Sequence, residues 1–131
     1  MEVKIKPQIE FPYYKEYLLR FPIDENTIFV FKDTIFTNNE ISYDILAHEG
    51  KHLAQQNKIG AKKWIKRYLK EDSFRLIQEI EAYRHQLKTV RKTGDRQEYA
   101  HILIECAMNI SSKLYGNIIT YQEALKLLKQ K

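Results

Sequence analysis

Apolar and polar positions change period along the chain, and the change predicts its architecture. In the first 37 residues the period is two: Val3 and Ile5 alternate with lysines, and the runs TIFVF at 27–31 and TIFT at 34–37 flank Lys32 and Asp33. This predicts a short β-hairpin, with the aromatic and proline-rich stretches between the strands as packed loops and 14–20 as a short helix. From Ile41 the spacing becomes helical. Ile41, Ile45, His48 and His52 fall on one stripe, Thr37 and Glu40 have capping-box spacing ahead of it, and Gly60 is a stop signal after it. A second helix is expected over 61–70, with Trp64, Ile65, Tyr68 and Leu69 on one face and five basic residues around the rest. A third runs from an Asp72/Ser73 cap to about Lys92, with the seam Leu76, Ile80, Tyr83, Leu87 and Val90. A fourth covers about 96–115 and ends at Gly116; a fifth opens with capping-box spacing at Thr120 and Glu123 and runs through ALKLLKQK. The expected fold is α+β and mostly helical, a single domain over 1–131, with a short N-terminal hairpin or sheet followed by the helix of the two histidines and three to four more.

Composition supports a folded chain: 131 residues, 44% hydrophobic, 12% aromatic, with only four Gly and three Pro. One cysteine, Cys106, excludes an intramolecular disulfide and a Cys-rich zinc module, and its apolar surroundings predict a buried core residue. No apolar run approaches the roughly 20 residues needed to span a bilayer, and the N-terminus lacks a signal-peptide core, which places the expected location in the cytoplasm. The net charge of +5 favours anionic partners in general. The basic face of Lys62, Lys63, Lys66, Arg67 and Lys70 reads first as solvated surface; no base-reading motif accompanies it, so nucleic acid is an unlikely partner.

The chemistry concentrates in HEGKH, residues 48–52. Two imidazoles one helical turn apart can share one metal ion, and Glu49 beside them is placed to take a proton from a metal-activated water. Two histidines alone hold zinc poorly, so a third ligand is needed. Glu79 and Glu81 lie on a helix able to fold back antiparallel through the Gly60 break. At 100° per residue the centre of the 76–90 seam is about 60° from Glu79 and about 140° from Glu81. Glu79 therefore borders the buried face and is the expected ligand, with Glu81 in reserve. Asp44, one turn before His48, is a candidate hydrogen-bond partner for that histidine.

HEGKH followed by the Glu79-Ile80-Glu81-Ala82 stretch resembles the HExxH…ExxA arrangement of zincin metallopeptidases of the gluzincin type, and is similar to small zincin-like domains of phages and bacteria. The resemblance spans roughly residues 27–90. It implies a zincin-like fold, Zn²⁺ on His48, His52 and Glu79, and Glu49 as general base, acting on a peptide or protein substrate. Tyr68, Tyr83 and His85, with His101 less favoured, are candidate donors to a developing oxyanion. Lys51 inside the motif favours an alternative of a different class, a zinc-binding zincin-fold protein without catalysis, serving as a structural or interaction component with an assembly partner, for example in a phage particle. In that case the chain would be virion-associated.

Overall fold

The computed structural model describes residues 2–129. It has the expected α+β, mostly helical architecture: a three-stranded sheet and six α-helices. The strands are β1 (Lys4–Lys6), β2 (Phe29–Phe31) and β3 (Thr34–Phe36); the helices are α1 (Tyr14–Arg20), α2 (Tyr43–Ile59), α3 (Ala61–Lys70), α4 (Asp72–Arg91), α5 (Arg96–Ile110) and α6 (Tyr121–Lys129). The 27–37 hairpin forms as expected, with Phe31 opposite Thr34 across Lys32 and Asp33. β1 adds to it in parallel, pairing Ile5 with Ile35, so the order is β1-β3-β2 and β2 lies at an edge. No helix among the described residues is long and apolar enough to cross a membrane.

Of three apolar clusters among the described residues, the smallest joins Leu53 of α2 to Val30 and Ile35 of the sheet, and two are larger. One is aromatic: Phe11, Phe21, Phe29 and Phe36 from the N-terminal segment pack with Trp64, Tyr68 and Phe74. Phe11 stacks on Phe29 at 4.5 Å and Tyr17 on Tyr68 at 5.8 Å, which binds the N-terminal loops to α3. The second joins Ile80, Tyr83 and Leu87 of α4 to Leu103, Cys106 and Ile110 of α5 and Leu128 of α6. The α4 seam is thus the one its spacing predicts, and Cys106 is a buried core thiol, pushed by burial to about 12.

Helix ends hold the differences from expectation. Thr37 and Glu40 do not cap α2, because the Thr37 amide still pairs with the Lys6 carbonyl (2.9 Å) and keeps residue 37 in the sheet. The helix begins at Tyr43, and Ile41 precedes it rather than leading its stripe. Asp72 does not cap α4; its carboxylate serves Arg75 and Arg20 instead. α5 ends at Ile110, not Tyr115, where the hydroxyls of Ser111 and Ser112 donate to the carbonyls of Ala107 (2.8 Å) and Asn109 (2.6 Å). A 3-10 turn, Lys113–Tyr115, follows and closes at Gly116, whose φ of 96° suits glycine and whose added Cβ would stand 3.3 Å from an Arg75 nitrogen. The α2 stop at Gly60 (φ 99°) and the capping box at α6 form as expected: Glu123 N donates to Thr120 Oγ1 (3.1 Å) and Thr120 N to Glu123 Oε1 (3.0 Å). Gln130 and Lys131, which the spacing assigns to that last helix, lie outside the described residues.

Candidate metal centre

An ordinary amphipathic helix buries an apolar stripe. α2 buries Asp44, His48, Glu49, His52, Gln55 and Gln56, and among its buried residues only Leu53 is apolar. Burying so much polarity is unfavourable unless every group is satisfied, so the helix is built for something other than packing. Gln56 ties the helix to the sheet. Its Nε2 donates to the Val30 carbonyl (2.9 Å) and its Oε1 accepts from the Lys32 amide (2.9 Å), closing the free edge of β2 onto α2. The other five gather around one point.

His48 Nε2 and His52 Nε2 both face Glu79 Oε1, at 3.2 and 3.0 Å, and one ligand atom from each of the three residues lies within 4.8 Å of the others. α4 brings Glu79 there by returning alongside α2, as its place beside the seam requires. The exposed Glu81 points elsewhere, to Lys51 Nζ (3.6 Å) and Gln55 Nε2 (3.3 Å), which also turns Lys51 out of the cluster. Ligand atoms of a tetrahedral zinc with bonds of about 2.0–2.1 Å stand about 3.3 Å apart, close to the two N···O separations here.

Hydrogen-bond directions bear on whether this cluster could hold a metal ion. Gln86 Nε2 donates to Asp44 Oδ2 (2.8 Å); a carboxylate only accepts, so the orientation of the amide is settled and Gln86 Oε1 is the atom at His48 Nδ1 (3.1 Å). Gln55 Nε2 likewise donates to the Gln78 carbonyl (3.1 Å), leaving Gln55 Oε1 at His52 Nδ1 (2.8 Å). Both imidazoles therefore carry their proton on Nδ1. Their Nε2 lone pairs and a carboxylate oxygen converge, three acceptors at one point, and only a proton or a metal ion between them removes the conflict. The other Glu79 oxygen, Oε2, accepts from the Tyr68 hydroxyl at 2.5 Å, so the two carboxylate oxygens have separate roles. Two imidazole nitrogens and one carboxylate oxygen, with both remote nitrogens held by acceptors, are a donor set that could hold a metal ion.

The electrostatics follow from the same contacts. Burial disfavours the His52 cation, but the Glu79 carboxylate overrides burial and pushes His52 up to about 9. Burial raises Glu79, yet the facing imidazoles hold it far below the usual carboxylate range. Burial raises Glu49, opposed in part by His48 and His52. Among the described residues no group hydrogen-bonds the Glu49 carboxylate, although the residue is only 7% exposed. It lines a cavity of about 430 Å³ that opens beside the cluster between α2, α4, α5 and the β2 strand.

Of the candidate oxyanion donors, Tyr68 has its hydroxyl on Glu79, and Tyr83 shares a hydroxyl–hydroxyl bond with Tyr115 (2.7 Å) while its ring stands 4.3 Å from that of His48. Tyr83 and Tyr115 both line the cavity. His85 does not: it is exposed on the far side of α4, and His101 is exposed on α5, paired with Glu105 at 2.9 Å. Asp44 is buried and reaches His48 through Gln86 rather than directly. Residues that sequence reasoning missed are Gln55, Gln86, Tyr115 and Arg75. Gln86 follows Glu79 by seven positions, two helical turns along the same face, and that was its available signal. Arg75 is wholly buried and donates to the carbonyls of Tyr68 (2.6 Å) and Tyr115 (3.0 Å), which fixes two tyrosines of the cavity wall from behind.

No protein-family model, curated protein or solved structure matches the chain.

Proposed function

We propose that this chain is a zinc-dependent peptidase or closely related amide hydrolase. The observation that carries the reading is the pair of Nδ1-protonated histidines aiming both Nε2 lone pairs at one oxygen of Glu79. The resemblance of HEGKH and the downstream Glu79 to gluzincin-type zincins supports the same assignment. When bound, zinc supplies Lewis acidity, lowering the pKa of a water towards about 7 and polarising a carbonyl.

The chain's own groups divide the remaining work. His48, His52 and Glu79 hold the ion, and Gln86, Gln55 and Tyr68 hold those ligands in orientation. Glu49, next to His48 and facing the cavity without a partner, takes the proton of the attacking water and returns it to the leaving amine. Its burial favours the protonated form, which suits the second of these transfers. Tyr83 and Tyr115 exchange one hydroxyl proton between them, leaving the other proton available to a developing oxyanion in the cavity. Val30 and Phe29 form part of the opposite wall, so the edge strand borders the substrate space, while Gln56 already occupies the Val30 carbonyl.

The test is metal content by elemental mass spectrometry of protein purified without added metal, beside His48→Ala, Glu79→Ala and Glu81→Ala. Near-stoichiometric zinc lost with His48 and Glu79 and retained without Glu81 is expected. Glu49→Gln should keep the zinc and lose about 10²–10⁴-fold in peptide turnover. Wild type that refuses added zinc ends the reading; zinc-loaded protein whose cleavage is indifferent to Glu49 removes that residue from its role.

A further inference from the structure

The cavity beside the metal cluster has the opposite charge to the chain that builds it. The sequence carries 22 Lys and Arg against 17 Asp and Glu. The cavity is nevertheless lined by Asp24, Asp44, Glu49, Glu79 and Glu105 and, among the described residues, by no Lys or Arg. Arg75, the buried arginine, lies behind the wall over the rings of Phe21 (5.1 Å) and Tyr68 (5.8 Å), and its nitrogens serve two carbonyls and Asp72. With a divalent ion in place, five carboxylates still leave an excess of negative charge.

These carboxylates are not equivalent. Asp44 and Glu79 are tied inward by Gln86 and Tyr68, and Glu49 is buried, unpartnered and turned to the cavity. Asp24 and Glu105 are the exposed carboxylates of the lining, one on the loop before β2 and one on α5. Asp24 accepts from the Asn26 amide (2.8 Å) through Oδ1, and Glu105 meets the exposed His101 through Oε1. Aromatic residues share the lining with them, Tyr17, Phe29 and Trp64 among them. Exposed carboxylates sharing a cavity with aromatic faces are the chemistry that receives an ammonium or guanidinium group, while a terminal carboxylate would meet no Lys or Arg of the lining.

We infer that the cavity selects a peptide carrying a cationic group close to the bond to be cleaved, with Asp24 and Glu105 as its specificity-determining carboxylates. This deepens the hydrolase reading and rests on it for the fate of the peptide, though not for its binding. The cation is supplied either by a Lys or Arg side chain or by a free N-terminal amine, and the two are separable by acetylation.

Trp64 is the chain's single tryptophan and lies in the cavity wall, so its emission reports occupancy. The experiment titrates zinc-loaded Glu49→Gln protein, in which turnover is stopped, with acetylated and amidated alanine hexapeptides bearing Lys, norleucine or Glu at the third position. A fourth peptide is the norleucine one with a free amine. The Lys peptide should bind up to about 25-fold more tightly than its norleucine counterpart, up to about fivefold for each exposed carboxylate, with the Glu peptide weakest. Asp24→Asn with Glu105→Gln should bring Lys and norleucine close to parity; both side chains are exposed, so the fold is unaffected. If the free-amine norleucine peptide gains as much as the Lys peptide, the terminal amine is the cation received. Equal affinities, a preference for Glu, a Lys preference indifferent to the double substitution, or no response of Trp64 to any peptide each overturn the inference. Zinc-replete protein without charge preference defeats this inference alone. Protein that takes up no zinc yet retains the Lys preference defeats the metal reading alone.

Discussion

Gln86→Leu is the substitution that separates a tautomer-locked metal site from two histidines that merely lie close together. Gln86 is not one of the three residues that could hold the ion, although it lines the cavity; its side chain bridges His48 Nδ1 (3.1 Å) and Asp44 Oδ2 (2.8 Å). Leucine fills nearly the same volume but leaves a buried imidazole N–H and a buried carboxylate oxygen without partners. Each such group costs about 1–3 kcal/mol, and Asp44 sits at the lower end because Ser42 still donates to its Oδ1 (2.7 Å), so the metal-free chain should lose about 2–5 kcal/mol. With Nδ1 no longer held, His48 is free to carry its proton on Nε2, the atom that has to face the metal. Zinc affinity should then fall about 10–100-fold, or about 1.4–2.8 kcal/mol. Competition with a chromogenic chelator at fixed pH measures the affinity, and denaturant melts with and without zinc measure the stability. Asp44→Asn is the control: its carbonyl can face Gln86 and its amide Ser42, so the relay survives and affinity should change by less than about threefold. Unchanged affinity in Gln86→Leu, or an Asp44→Asn protein as impaired as Gln86→Leu, would refute the relay.

Three further perturbations probe the same structure. Tyr68→Phe frees Glu79 Oε2 from its 2.5 Å bond and should weaken zinc about tenfold or more in the same competition assay while the fold persists; full retention would show that Glu79 orients itself. The metal-free protein should depend on pH through the His52–Glu79 pair. Because folding raises His52 to about 9, its contribution is complete below the unfolded value of about 6.5 and is lost as pH rises through about 9; Glu79, lowered by folding, keeps its contribution above the ordinary carboxylate range and loses it as pH falls through its depressed value. Zinc has to displace the His52 proton, so affinity should rise about tenfold per pH unit and level near 9, and a plateau already at 6.5 would show the pair unformed. Arg75→Met orphans the Tyr68 and Tyr115 carbonyls and should cost about 2–6 kcal/mol in denaturant melts; a loss below about 1 kcal/mol would deny the arginine its place in the wall.

Most of the fold was legible because it follows from periodicity. The hairpin, the Gly60 break, the seam on α4 and the capping box at Thr120 each depend on neighbours within a few residues. The misplaced boundaries share one cause, competition from another partner, distant for Thr37 and local at the end of α5, where the Ser111 and Ser112 hydroxyls take the last carbonyls. Thr37 has the right spacing to cap a helix, but the Lys6 carbonyl claims its amide, and Asp72 has the right chemistry, but Arg75 and Arg20 claim its carboxylate. The parallel addition of β1 was not legible either, since an exposed isoleucine between two exposed lysines carries no information about which strand it joins.

The site divides along the same line. That His48, His52 and Glu79 would come together was readable because residues on helices obey helical spacing, and because Glu79 lies beside an apolar seam whereas Glu81 lies away from it. The residues that hold those three in orientation were not, for an amide has no fixed role until its neighbours assign one. Gln86 is read as a locking acceptor only once Asp44 is seen at its other end, and Gln55 only once the Gln78 carbonyl is. α2 buries six polar residues beside a single buried leucine. Its burial is driven from outside, by the aromatic core against α3 and the aliphatic core against α4 and α5, so that the apolar packing of other segments sustains a polar cluster that a helix of this composition could not bury by itself.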